Sequence, residues 1–391
     1  MPIRYIDLVK NLKEKRVLLR INLDFDPKKG SSQRIGRICK TIKFLLKKKA
    51  KVIIISSKGD FVKTKNPKNS LKSFVLPLEK EIKEKICFCD IKPSEKLNKF
   101  IAQNDSFNVF LLENLNFYPE DFENSRTFSK NLASMVNIFV NDDFSQLDLA
   151  LASNTSIAEY IKCFAGFEIK EELQMLEKLI KPQKTAVLIL GGDDIFDRLK
   201  FIKECGKSFD YILLGGVLAN TFLAGRLYKI GSSKVEEAKL ISVNKIFNEF
   251  KEKIVLPDDF VIGEKKSKSL SLAEIKEEDK NICNRPDAIL DIGPKTILKF
   301  SKIIKTAKTI LWNGPLGMYE DKRAIHGSKS IARVICQRSS GRAFGCAFGD
   351  DTLEVLEKTQ MAKFMDHLSF GGNIVYKYLQ KEKLIALEKM N

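Results

Sequence analysis

The feature that most constrains this chain is a set of short apolar runs that do not alternate with polar residues. The first part of the chain holds Arg16–Asn22 (RVLLRIN), Lys51–Ser56 (KVIIIS), Asn108–Glu113 (NVFLLE) and Val136–Asn141 (VNIFVN). The second holds Thr185–Leu190, Asp210–Gly215, Lys253–Leu256, Lys308–Trp312 and Ala343–Gly349. A strand with one wet face alternates apolar and polar side chains. Runs without alternation therefore predict strands buried on both faces, as in a parallel sheet covered by helices. Helical patterns such as Ile35–Lys49 and Ser129–Met135 lie between the runs, which predicts an α/β fold with right-handed crossovers. A long helical segment, Phe167–Ile180, followed by Pro182, separates the two sets and predicts a connector between domains. A further amphipathic helix is predicted over Tyr376–Met390.

Composition narrows the function classes. The formal charge is +18, from 68 Lys and Arg against 50 Asp and Glu. The lysines are scattered through amphipathic helices, as at Lys40, Lys43, Lys47, Lys48 and Lys49, which is the pattern of a solvated surface. No nucleic-acid partner is expected. Cys87 and Cys89 form C-x-C and the other cysteines are isolated, so no zinc spacing is present and reduced thiols are expected. With only His326 and His367, an imidazole-built metal site is not expected. No apolar stretch approaches the roughly 20 residues of a membrane span. The N-terminus is amphipathic rather than a signal peptide, and the expected location is cytoplasmic.

The turns at the strand ends carry the functional signal, because open parallel sheets bind ligands at the carboxyl ends of their strands. In the first half the turns are Arg20-Ile21-Asn22-Leu23-Asp24, Ser56-Ser57-Lys58-Gly59-Asp60, Glu113-Asn114-Leu115-Asn116 and Asn141-Asp142-Asp143. In the second they are Gly191-Gly192-Asp193-Asp194, Gly215-Gly216, Asn313-Gly314-Pro315 and Gly349-Asp350-Asp351-Thr352. Together they predict a polar crevice shared by two domains.

These turns, in this order, resemble the phosphoglycerate kinase family from Lys15 to about Leu387. The most specific strings are LLENLNFYP (Leu111–Pro119), VNDDF (Val140–Phe144), LDIGPKT (Leu290–Thr296) and LWNGPLGMYE (Leu311–Glu320). The resemblance implies two Rossmann-like domains joined by a long helix. They would be a phosphoglycerate-binding-type domain over 1–165, an interdomain helix over 166–181 and a nucleotide-binding domain over 182–366. A segment over 367–391 would pack back toward the first domain. It also implies a monomer that moves a phosphoryl group between 1,3-bisphosphoglycerate and ADP, using Mg2+ with ATP or ADP.

Carried over position by position, the resemblance makes Arg34 and Gly349 catalytic candidates, and Asn22, Asp24 and Arg34 substrate-binding ones. Gly191, Gly192, Gly215, Gly216, Asn313 and Pro315 match the walls of the nucleotide site. Arg198 matches a phosphate-binding cation, Glu320 the carboxylate on the ribose, and Asp351 with Thr352 the pair whose Asp binds the magnesium.

The chain departs from the family at its charged positions. The Asp and Asn of the substrate site are exchanged to Asn22 and Asp24. A His becomes Ser57, and arginines become Asp60, Asn116 and Leu149. Asp194 stands where the family has the lysine that stabilises transfer, and Asp350 replaces a glycine whose bare backbone lets N–H groups approach phosphate. Loss of one preorganised donor costs about 3–4 kcal/mol of transition-state stabilisation. The expectation is a strongly impaired kinase; the alternative is an inactive protein that retains nucleotide binding. Lys58, Lys63, Arg37, Arg198 and Lys200 read first as ordinary surface cations, with compensation for the lost charges as the alternative. Asp143, Asp148 and Asp193 read as solvated loop residues, with an extra magnesium cluster as the alternative.

Overall fold

The computed structural model describes residues 2–27, 32–61, 65–264, 267, 269–276 and 278–391, with the side chain of Ser32 left aside. Lys63 lies outside them. The chain forms two compact units: Met1–Gln174 with Glu382–Asn391, and Met175–Lys381.

The first unit is built on a six-stranded sheet in the order Ile86–Cys89, Val109–Leu112, Lys51–Ile55, Arg16–Ile21, Ile138–Asp142, Cys163–Ala165. Every pairing is parallel, as the non-alternating runs predict. Helices cover it because their apolar residues recur at helical spacing. In Ser32–Lys47, for example, Ile38, Ile42 and Leu45 are buried against the sheet's Val17, Leu19, Val52 and Ile54. Lys40, Lys43, Lys47, Lys48 and Lys49 are exposed. The last ten residues belong to this unit, where Arg4 N–H donates to the Met390 carbonyl at 2.7 Å.

The second unit repeats the architecture, in the order Ile254–Val255, Tyr211–Leu214, Ala186–Leu190, Thr309–Asn313, Phe344–Phe348, His367–Ser369, again parallel throughout. Trp312, fully buried in this core, donates its indole N–H to the Gly314 carbonyl at 2.9 Å. A separate three-stranded antiparallel sheet, Ser271–Glu274, Asp259–Gly263 and Ala288–Ile292, flanks the main one. Its central strand feeds a helix cap. Asp259 accepts the N–H groups of Lys295 (2.9 Å) and Thr296 (2.7 Å) at the start of the helix Pro294–Thr306. A side chain at Gly293 would collide with that carboxylate at 2.3 Å. The LDIGPKT string is thus a capping device, with Pro at the first helical position, where its missing donor does no harm.

Two expectations are corrected. Tyr376–Met390 is two short helices, Ile374–Leu379 and Ile385–Glu388, because Lys381 adopts φ +58° and breaks the helical path. The strand expected from Val136 starts at Ile138 and runs through Asp142. None of the described helices is long and apolar enough to cross a membrane, and all eight cysteines are free.

Candidate active site

In the second unit, three strand ends are laced together by backbone. Gly191 N–H donates to the Asn313 carbonyl (2.9 Å), Gly192 N–H to that of Pro315 (2.8 Å) and Gly216 N–H to that of Leu316 (3.0 Å). The chains approach so closely that a Cβ at Gly191 would sit 2.0 Å from the Pro315 carbonyl oxygen, and one at Gly215 2.5 Å from the Leu316 side chain. Gly192, Gly216 and Gly314 take φ of +69°, +58° and +90°, a region open to glycine at little strain.

Beside this weave lies a cavity of about 430 Å³. Of the expected residues, Gly192, Gly216, Pro315, Glu320 and Asp351 line it, together with Asn220, Lys234, Asp291 and Tyr319, which the sequence reading did not single out. Asn313 and Thr352 support the site instead. The Thr352 hydroxyl accepts the Gly314 N–H at 2.6 Å, while Asn313 donates to the Phe348 carbonyl at 2.8 Å and accepts from the Tyr376 hydroxyl at 2.7 Å. Gly349, at φ +88°, turns the chain into the helix Asp350–Lys358, whose first turn carries the exposed Asp350 and Asp351.

Charge in this region is mostly acidic. Asp193 pairs with Lys234 at 2.8 Å, and that hydrogen bond holds its carboxyl below the usual range. The Tyr319 hydroxyl is shared between Asp351 (2.9 Å) and Glu354 (3.2 Å); burial, and then Asp351, push its pKa well up. Burial raises Asp291 to about 7 although it accepts N–H groups from Gly327 (2.7 Å) and Ile292 (2.9 Å). Arg198 is 7% exposed and donates to the Asp194 carbonyl at 2.5 Å, with its guanidinium against the Gly192 turn. Asp194 itself precedes the first turn of the helix Ile195–Cys205.

The donor set suits magnesium held largely by a nucleotide. Asp351 offers an exposed carboxylate on the cavity wall, and magnesium commonly takes one or two carboxylates plus substrate phosphates. Among the described residues no group of three or more His, Cys, Asp or Glu is placed to hold an ion, so nothing there forms an all-protein cage.

In the first unit the described residues of the strand-end loops are tied together by hydrogen bonds. Glu113 accepts the N–H groups of Leu71 and Asn114, both at 2.8 Å. Asn114 ties Lys58, Asn69 and Asn116 together through backbone and side-chain bonds. These motif residues therefore set loop shape. Asn22 accepts from Arg34 (3.4 Å) and donates to Ser145 (2.9 Å); Asp24 accepts the Gly59 N–H (2.9 Å). The structure thus brings Asn22, Asp24 and Arg34 together. Arg34 also lies over the Phe25 ring, 4.2 Å from its centroid.

Arg20, expected in the polar turn after the first strand, lies inside the strand Arg16–Ile21 and is fully buried at the centre of this network. It donates to Ser57 (3.0 Å), Ser153 (2.5 Å) and Gln146, and faces Asp143 at 3.5 Å. A charge inside a run of buried apolar residues was its signal, since such a group needs buried partners. Asp143 is consequently no solvated loop residue: it is 1% exposed, and burial raises its pKa against the pull of Arg20. Asp193, by contrast, is an exposed loop residue, paired at the surface with Lys234.

Two compensating cations are otherwise committed. Arg37 is buried between Glu168 (2.7 Å) and Glu172 (3.0 Å), and the Lys58 ammonium lies 5.1 Å from the centroid of the Phe74 ring. Asp60 is exposed, Asn116 donates to the Gly59 carbonyl, and Leu149 is 41% exposed.

Comparison with known proteins points the same way. The phosphoglycerate kinase family model matches residues 6–382. A phosphoglycerate kinase from Dictyoglomus turgidum is 34% identical over 391 residues, covering 96% of this chain and 95% of the relative. A cytosolic one from Nicotiana tabacum is 32% identical over 390 residues, covering 96% and 94%. The solved phosphoglycerate kinase from Coxiella burnetii superposes with a TM-score of 0.82 at 26% identity, covering 100% of this chain and 99% of that one.

Proposed function

Because the chain belongs to the phosphoglycerate kinase family, we propose that it transfers a phosphoryl group between 1,3-bisphosphoglycerate and ADP, giving 3-phosphoglycerate and ATP, at a strongly reduced rate. In this reading the first unit is the phosphoglycerate half and the second the nucleotide half. Like its tobacco relative, it works in the cytoplasm, and it does so as a monomer. The observation that carries the reading is the cavity of the second unit. Glu320 stands on its wall for the ribose hydroxyls, and Asp351 stands at a helix N-terminus beside it. The first-turn N–H groups after Gly349 are oriented for phosphate. Arg34 binds the phosphoglycerate with Asn22. Magnesium, when bound, neutralises charge on the phosphates.

The reduced rate follows from electrostatics, since phosphoryl transfer is catalysed chiefly by positioning and positive charge. Asp194 replaces a cation by an anion, and Arg37 is locked in its ion pairs. A second reading, nucleotide binding without transfer, is favoured by one observation: Arg198 is tied to the Asp194 carbonyl. A coupled assay with 3-phosphoglycerate and Mg-ATP separates the two. Turnover that disappears in Asp351→Asn supports the kinase; turnover no greater than that control leaves the nucleotide-binding protein.

A further inference from the structure

One sequence motif, C-x-C, has no part in the candidate site. Cys87 and Cys89 stand two residues apart on the strand Ile86–Cys89, so their side chains leave the same face of the sheet. That strand is the outermost of its sheet, with Val109–Leu112 as its neighbour. Opposite the two cysteines on that neighbour are Phe110 and Leu112, each 1% exposed. Cys89 is buried and Cys87 half-buried. The Cys89 thiol donates to the Cys87 carbonyl at 3.7 Å, and the two thiols hydrogen-bond each other. They form a dithiol in apolar surroundings, with one member reachable from solvent and the other behind it.

Charge decides what such a pair can take. Burial, and then Cys87, push Cys89 up to about 12, and burial also raises Cys87; among the described residues no cation acts on either. A thiol without a neighbouring cation gives little thiolate, which disfavours oxidation by a peroxide. Zinc and iron–sulfur clusters call for four ligands. Among the described residues no group of three or more His, Cys, Asp or Glu is placed to hold an ion. Copper(I) between two thiolates would leave a net negative charge in an apolar setting, which is costly. Trivalent arsenic closes on two sulfurs with no net charge. It needs them side by side, as hydrogen-bonded thiols already are.

We propose that Cys87 and Cys89 are a binding site for a trivalent arsenical, held by both sulfurs at once. With an arsine oxide the arsenic–oxygen double bond breaks and two arsenic–sulfur bonds form. The two thiol protons leave with the oxygen as one water. Arsenic stays trivalent, so the step needs no oxidant or reductant. Attack begins at the half-buried Cys87. Closure by Cys89 makes the second bond intramolecular, which holds the adduct far more tightly than one sulfur could.

The test is titration of the reduced full chain with phenylarsine oxide, read by intact mass, peptide mapping and a native-state thiol assay. The chain should gain a single phenylarsine, on the peptide that carries Cys87 and Cys89, and lose both of those thiols. Ethanedithiol should strip the adduct, whereas mercaptoethanol at equal thiol concentration should not. Cys87→Ser and Cys89→Ser should each weaken retention by about 100-fold or more. Cys205→Ser, at the other half-buried cysteine, should leave it unchanged. In the wild type, no adduct, an adduct on another peptide, or release by mercaptoethanol overturns the proposal, so misfolding of a variant cannot shelter it. A folded Cys89→Ser that keeps the adduct as tightly overturns it too.

Discussion

The two units share a parallel six-stranded sheet, and they differ in what lies at the strand ends. In the second unit glycines bring backbones together and the acidic side chains Asp350, Asp351 and Glu320 are exposed, next to a cavity with an apolar wall. In the first, Arg20 and Arg37 are buried against Asp143, Glu168 and Glu172, and Asp24 and Asp60 are exposed. The second unit therefore has a cavity edged by exposed carboxylates, whereas the first holds two arginines in buried ion pairs. A cation serves an anionic substrate only if its field is not already neutralised by a partner within a few ångströms.

The contrast can be attacked first through function. Replacing Asp60, Asn116 and Leu149 by Arg together with Asp194→Lys should raise kcat/KM for 3-phosphoglycerate by about 10³ or more. On the proposed reading Asp194→Lys alone should gain less than about tenfold, since Asp60, Asn116 and Leu149 would remain uncharged or acidic. Full recovery from the single change would show that the first unit was never deficient. The next test concerns stability. Arg20→Met should lower the unfolding free energy by about 3–5 kcal/mol in urea titration, because it leaves Asp143 buried without its cation. A loss under about 1 kcal/mol would mean that the network holds its charge by neutral hydrogen bonds instead.

A third test uses pH. Burial pushes Asp142 up to about 7 from 3.8, while it accepts from Thr41 and from the N–H groups of Glu168 and Ile169. Between these values the native state holds a proton that the unfolded chain has released. The contribution of this group to stability is therefore full below 3.8 and is lost as pH rises to about 7. Asp142→Asn should flatten that decline, so its urea midpoint relative to wild type should improve from about pH 5 to about pH 8. An unchanged difference would place the titration elsewhere. The smallest effect is expected at the cavity rim. Lys234→Met removes an exposed pair with Asp193 and should cost at most about 1 kcal/mol, less at high salt.

The sheet cores were legible in the sequence because buried parallel strands are continuously apolar. The edge strands Ile86–Cys89, Cys163–Ala165 and His367–Ser369 were not, since three or four residues become a strand only through their neighbour. The antiparallel sheet was missed for a related reason: Ser271–Glu274 is mostly exposed and carries no apolar run. In the site, Gly192, Gly216, Pro315, Glu320 and Asp351 could be named because they sit in turns with a recognisable order. Asn220 could not, because within an apolar helix nothing in the sequence says which face meets a cavity. The fate of Arg37 was equally hidden, as its partner Glu168 is 131 residues away.

That buried pair also bears on how the chain can change. Removing Arg37 strands Glu168 and Glu172 in the interior, and removing Glu168 leaves Arg37 one carboxylate short. Any mutational path that frees Arg37 for another task thus descends into a less stable intermediate before it can climb out. Steps at Asp60 or Asp194 meet no such valley, for Asp60 is exposed and Asp194 half-buried. The protein can vary its surface charges one at a time, but the Arg37 pair is a ratchet that turns back only when two codons move together.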